Sequence, residues 1–325
     1  MVNKDIRANL KKANFWKIIE TISRIRKENI LMRIDVLIGI NIPNAKKIEM
    51  KKILYKNKLN FKVFIFTLKF WLLLERVLDN GFIRLVDFMG GDFAVVQSAR
   101  VSFGQESKGP EKDIKLIEYL LKNKHETPFE HSVFKFHIKC PIFVARQWFR
   151  HRIGSFNEIS LRYVEYKDEF YIPEFFRKQS QSNKQASTEE IVENSEILKE
   201  ELLKLYEEIK DLYNKFLNSS VARELARIIL PLSTYTQFYW TINARSLMNF
   251  ISLRADINAQ YEIRIYARKI AKIFRDKMPI TFKFYVKYAY FGKDEEIYNL
   301  ENEMENWDLE KIYKEQMDVW NRRSL

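Results

Sequence analysis

The chain has 325 residues, enough for one large domain or two smaller ones with a full core. Hydrophobic residues make up 46% and aromatics 14%, with only 8 glycines and 7 prolines, which excludes a disordered, collagen-like or low-complexity chain. The formal net charge of +13 is uneven: residues 1–73 hold 17 basic and 5 acidic side chains and the rest hold 39 and 38, so the body is neutral and the basicity belongs to an N-terminal segment.

That segment ends in the apolar run 61–74, FKVFIFTLKFWLLL, which Lys62 and Lys69 interrupt. It is shorter than the roughly 20 residues that span a bilayer and reads as an amphipathic or buried helix, with an interfacial anchor and non-physiological sequence as alternatives. No short apolar core with a small-residue cleavage site marks a signal peptide. Residues 82–88 read as a strand and 92–102 as a helix. A helical stripe follows over 111–122, and KHETPFEH (124–131) is loop-like because Pro128 disfavours helix at Thr127. Phe134, Phe136 and Ile138 alternate with Lys135, His137 and Lys139, the period of a half-buried strand, which points Cys140 to the apolar side. Pro141 then opens a helix over 141–149.

After a polar stretch, the longest helix is expected over about residues 188–217, a second over 221–230 stopped by Pro231, a strand over 235–240, and helices over 244–253 and 259–278. The expectation is a basic extension, 1–73, followed by one globular domain, 74–325. The single cysteine cannot form an internal disulfide, and four histidines without partner cysteines offer no zinc-finger spacing. A reducing, cytoplasmic setting follows, with no metal.

The informative stretch is RQWFRHRIGSFNEISLRYVEY, 146–166, where Arg150, His151, Arg152, Asn157, Glu158, Ser160 and Arg162 interleave with apolar residues. Such a mixture cannot keep every polar group in water while burying every apolar one. Guanidinium forks bind phosphate oxygens in pairs and serine hydroxyls complete the shell, while Asn157 and Glu158 suit ribose or base edges. A solvated loop with structural ion pairs is the alternative for composition alone.

The order of residues is more specific. R-H-R at 150–152, seven residues and then Ser160, with N-E-x-S-x-R-Y over 157–163, closely resembles the signature of the flavin-dependent thymidylate synthases. HETPFEH (125–131), PIFVARQWFRHR (141–152), RELARIILP (223–231), NARSLMNF (243–250) and LRAD with AQ (253–260) resemble further blocks of that family, in the family's order.

The resemblance implies an α+β fold, a sheet with long helices packed around it, assembled as a homotetramer with sites shared between subunits. It implies transfer of the methylene of methylenetetrahydrofolate to carbon 5 of dUMP and its reduction to methyl by FADH2, with NADPH regenerating the flavin. Arg254 matches the arginine that promotes ionisation of the pyrimidine. Gln147, Arg150, Glu158, Ser160, Leu161, Arg162 and Arg227 match positions around dUMP. Ser102, Thr127, Arg150, His151, Arg152, Asn157, Glu158, Asn243, Arg245 and Asn249 match positions around FAD, and His125 and Tyr163 lie on the folate and pyrimidine side. Asn258 stands where relatives commonly have histidine, and it cannot carry a proton charge. The rival reading is a nucleic-acid-binding protein that uses the Lys-rich residues 1–73.

Overall fold

A computed structural model of the chain describes residues 74–165, 169–181 and 187–323. The chain divides after Leu74, and the unit described is the one that follows. The basic segment and the helix expected over 61–74 lie outside the described residues, except that Leu74 opens a strand instead of closing a helix.

Five strands form the sheet: β1 (Leu74–Val77), β2 (Gly81–Met89), β3 (Val133–Pro141), β4 (Ser155–Glu158) and β7 (Tyr235–Asn243), in the order β1-β2-β3-β7-β4. The pairs β2/β3, β3/β7 and β4/β7 are antiparallel. Alternation dictates the inner face: Phe134, Phe136, Ile138 and Cys140 are fully buried, and the register sets Phe136 opposite Trp240 and Ile138 opposite Phe238. Lys139, expected on the polar side, is also buried, where its ammonium pairs with Glu169 at 2.7 Å.

Helices cover that face: α1 (Asp92–Arg100), α2 (Pro110–Lys122), α3 (Ile142–Trp148), α6 (Ala244–Arg254), α7 (Tyr261–Lys277) and α8 (Pro279–Tyr288). Helix α7 lays Ile263, Tyr266, Ala267, Ile270 and Phe274 inward at three-four spacing, and the Tyr266 hydroxyl donates to Lys139 O at 2.6 Å. Trp148 ends α3 as a plug whose ring lies 4.9 to 5.7 Å from those of Phe238, Trp240, Phe250 and Tyr266. Such aromatic packing fixes the point at which the chain leaves the core. Two more helices, α9 (Glu295–Asn302) and α10 (Leu309–Arg323), follow. The α+β expectation holds, with the sheet flanked by helices.

Three expected elements differ. The long helix α4 (Ser195–Asn218) begins later than expected, because residues Ser187–Ile191 form β6 and pair with β5 (Arg177–Gln179). Arg177 donates to the Ser187 hydroxyl at 3.0 Å and Lys178 pairs with Glu190 at 3.0 Å, cross-strand contacts that compete with helix. The helix expected over 221–230 is α5 (Arg223–Ala226) followed by a 3-10 turn, Arg227–Ile229. Pro231 holds Leu230 extended, at ψ 127°, and so cuts the helix short. Thr127–His131, expected as loop, is a 3-10 turn with Pro128 in its first turn.

Candidate active site

Beyond Trp148 the chain turns sharply: Arg150 N–H donates to Gln147 O at 3.4 Å and His151 N–H to Trp148 O at 3.0 Å. Facing this turn is α6, started by Asn243, whose side chain accepts from Ser246 N–H at 2.8 Å. Leu247, Phe250 and Ile251 of α6 pack inward, so Asn249, Leu253 and Arg254 fall on the side of the turn. A cleft of about 700 Å³ lies between the two, lined also by Arg150, His151, Arg152 and Arg245.

Arg254 is half-buried at its centre. Its Nε–H donates to His151 Nε2 at 2.9 Å and its Nη2 to Gln147 O at 3.3 Å. A histidine that accepts at Nε2 is neutral and carries its proton on Nδ1. Burial, and then the Arg254 charge, pull the His151 pKa down to about 4, so the contact survives throughout the neutral range. Burial and the neighbouring Arg150 also lower the Arg254 pKa from the ordinary guanidinium value.

The charge balance is asymmetric. Arg245 is answered by Glu126 at 3.1 Å and Glu130 at 2.6 Å. Arg150, Arg152 and Arg254 form no ion pair among the described residues. Three guanidiniums without counter-carboxylates suit anionic groups, Asn249 and Ser246 supply neutral polar contacts, and Ile153, Leu253 and Phe291 wall the mouth with apolar surface. This donor set fits a flavin dinucleotide, which joins a pyrophosphate to flat rings. Among the described residues no group of three or more His, Cys, Asp or Glu side chains is arranged to hold a metal ion.

Seven expected site residues therefore meet at one cleft: Arg150, His151, Arg152, Asn243, Arg245, Asn249 and Arg254. Gln147 adjoins it through its contact with Arg254. The others lie elsewhere on the chain. Ser102 is exposed in the turn after α1; His125 and Thr127 are exposed after α2. Asn157 and Glu158 lie on edge strand β4, where Glu158 accepts from the Thr236 hydroxyl at 2.6 Å. Beyond it, Ser160, Leu161, Arg162 and Tyr163 form a surface turn in which Arg162 donates to the Ser160 hydroxyl at 3.4 Å and stacks on Tyr163. Arg227 is exposed and donates to Glu224 O at 3.1 Å. Asn258 folds back on Asp256, its Nδ2 donating to Oδ1 at 2.8 Å.

Cys140 is far from a nucleophile's setting. It is fully buried, and desolvation together with the Glu158 charge pushes its thiol well above the ordinary value, so it forms no thiolate at neutral pH. Sequence reasoning missed the acidic lining, Glu126 and Glu130, although both stand inside the HETPFEH block. It also missed Gln260, which the AQ of the last block contains.

Residues 84–280 match the family model described as thymidylate synthase complementing protein. The flavin-dependent thymidylate synthase of Thermosipho melanesiensis is 59% identical over 220 residues, 67% of this chain and 95% of that protein. That of Thermus thermophilus is 51% identical over 205 residues, 63% of this chain and 75% of that protein. Among solved structures, the UMP/dUMP methylase PolB from Streptomyces cacaoi with 5-Br UMP bound superposes with a TM-score of 0.60 at 32% identity, covering 67% of this chain and 98% of that one. With the family model across most of the catalytic unit and such identity across nearly the whole of a curated relative, the chain belongs to the flavin-dependent thymidylate synthases.

Proposed function

We infer that the protein converts dUMP to dTMP by reductive methylation at the cleft between residues 150–152 and α6. The observation that carries this reading is Arg254, held by His151 and Gln147 O with no carboxylate to neutralise it among the described residues. A fixed cation against the pyrimidine carbonyls favours the ring anion and makes carbon 5 nucleophilic, which removes the need for a cysteine adduct. Arg150 and Arg152 hold the phosphates, Asn243 and Asn249 orient the flavin, and the apolar mouth limits water. The bound flavin supplies the reducing equivalents that turn the transferred methylene into methyl. Methylenetetrahydrofolate is the carbon donor and NADPH the source of reductant. A dTMP assay on the yellow protein, omitting dUMP, folate, NADPH and FAD in turn, tests this; product without folate would overturn it.

Ser160, Arg162, Tyr163 and Arg227 are assigned to dUMP and folate contacts at a neighbouring copy's cleft, in a homotetramer with shared sites. The exposure of Arg162, Tyr163 and Arg227 supports this, as do large apolar side chains left in water: Val101, Phe103, Ile153 and Ile228 are each 72% exposed or more. The enzyme works in the cytoplasm; among the described residues no helix is long and apolar enough to cross a membrane. The nucleic-acid reading rests on the charge of 1–73 alone and is set aside.

Two predictions belong here. Cys140→Ala is expected to keep methylating dUMP at a rate within about threefold of wild type, at a packing cost of about 1 kcal/mol or less; a folded mutant that binds dUMP and makes no dTMP would contradict the cation mechanism. Residues 1–73 are read as dispensable for catalysis, since the charge excess is confined to them and the family match begins only at residue 84. A protein beginning at Leu74 should fold, bind FAD and make dTMP within about threefold of the full chain. Insolubility or inactivity of that shortened protein would move the domain boundary upstream.

A further inference from the structure

Behind Arg254 a line of side chains runs away from the cleft through residues with no role so far. Glu262, in the first turn of α7, is 5% exposed. Its Oε1 accepts from Arg177 Nη2 at 2.5 Å and from the Tyr171 hydroxyl at 3.3 Å, and its Oε2 accepts from Gln260 Nε2 at 2.9 Å. Gln260 Oε1 in turn accepts from Gln147 Nε2. Gln147 is the residue whose backbone carbonyl holds Arg254.

The chemistry of the last member dictates the direction of every bond. A carboxylate paired with a guanidinium only accepts, so Gln260 must turn its NH2 toward Glu262 and its carbonyl toward Gln147. Gln147 must then give one N–H of its NH2 to Gln260, which fixes its side-chain carbonyl on the other edge of the amide as an acceptor. A free glutamine amide is ambivalent, because a half turn of the amide exchanges donor and acceptor. Here a buried charge two residues away removes the ambivalence. The Arg177 guanidinium is itself stacked 4.0 Å from the Tyr261 ring centre, which holds the far end of the line in place.

We propose that Glu262, acting through Gln260, is a positioning residue that fixes Gln147 as a hydrogen-bond acceptor for a donor group of the bound nucleotide. The proposal rests on the reading of Gln147 as a neighbour of dUMP. That nucleotide carries two neutral donors, the pyrimidine N3–H and the sugar 3′-hydroxyl, and the relay selects for whichever of them faces Gln147. An analogue with a lone pair or no group at that place meets an acceptor that cannot turn over to suit it.

The test uses the full-length, flavin-loaded protein and its Gln260→Leu variant, which cuts the relay and leaves the Arg177–Glu262 pair intact. Dissociation constants are measured for dUMP, for dCMP, whose N3 accepts, and for 2′,3′-dideoxyuridine monophosphate, which lacks the 3′-hydroxyl. Gln260→Leu should weaken dUMP about tenfold, and should weaken by less than about twofold the one analogue that lacks the donor Gln147 accepts. Glu262→Gln should give the same ligand pattern together with a lower melting temperature; should that variant fail to fold, Gln260→Leu decides alone. Equal loss for all three ligands, or no loss for dUMP, overturns the relay and leaves Gln260 a packing residue. Failure of the wild-type protein to bind dUMP would instead overturn the reading of the site.

Discussion

Replacing Arg254 with alanine should lower dTMP formation by about 100-fold or more while the purified protein keeps its yellow colour. The split follows from geometry. Arg254 ends α6, and its contacts are His151 at 2.9 Å and a backbone carbonyl at 3.3 Å, so the guanidinium is held without being neutralised. Arg150, Arg152, Asn243 and Asn249, the cleft residues assigned above to the flavin, are left in place by the substitution. Arg254→Lys separates charge from shape. A lysine supplies the cation but cannot donate to His151 and the carbonyl through a planar fork, so most of the loss should persist. Steady-state dTMP formation, with flavin content read from the absorbance spectrum, checks both variants. Near wild-type turnover in Arg254→Ala would remove the arginine from the chemistry.

Asp92→Ala should destabilise the fold by about 3 kcal/mol, a fall of roughly 8 °C in melting temperature for a domain of this size. Asp92 begins α1 and is fully buried, yet its carboxylate caps a different helix: it accepts from Ile280 N–H at 3.2 Å, Thr281 N–H at 2.9 Å and the Thr281 hydroxyl at 2.6 Å, at the start of α8. Gln316 of α10 adds a fourth donor at 3.2 Å. Alanine would leave these donors buried and unpaired at the junction of three helices.

The effect depends on pH with a definite sign. Burial raises the Asp92 pKa from 3.8 to about 6, against the hydrogen bonds that lower it. The folded state therefore holds this proton more tightly than the unfolded state, and the stability due to Asp92 is greatest at low pH and falls as pH rises through about 6. The gap between wild type and Asp92→Ala should be about 1 kcal/mol wider at about pH 5 than at about pH 7. Urea unfolding of both proteins at the two pH values measures it, and a gap that widened toward neutral pH would contradict the assignment.

Strands β2, β3 and β7 were legible because one face of each meets the core and the period of two is written in Phe134, Phe136, Ile138 and their partners. Strands β4, β5 and β6 were not, since Ser155, Asn157, Glu158 and most of Arg177–Gln179 and Ser187–Ile191 are exposed and carry no apolar alternation. They form by pairing alone, and pairing is invisible in a local window. The cleft was legible as motifs. Arg150, His151, Arg152 and Arg254 stand in blocks whose order identifies the family, although about a hundred residues separate the turn from α6. The neutral state of His151 was not legible, because it depends on a guanidinium brought up from that distance. Nor was the role of Glu262, whose partner Arg177 lies in a polar stretch that reads as surface.

The most direct measurement is a single turnover without recycling. The flavin-loaded protein is reduced, mixed anaerobically with dUMP and methylenetetrahydrofolate, and followed both for dTMP and for the absorbance band of oxidised flavin. The expected result is dTMP formed in step with flavin oxidation, at comparable rates in wild type and Cys140→Ala, and slowed by about 100-fold or more in Arg254→Ala. Flavin that stays reduced while dUMP is bound, or dTMP formation that requires Cys140 and tolerates the loss of Arg254, would contradict the cation-driven mechanism.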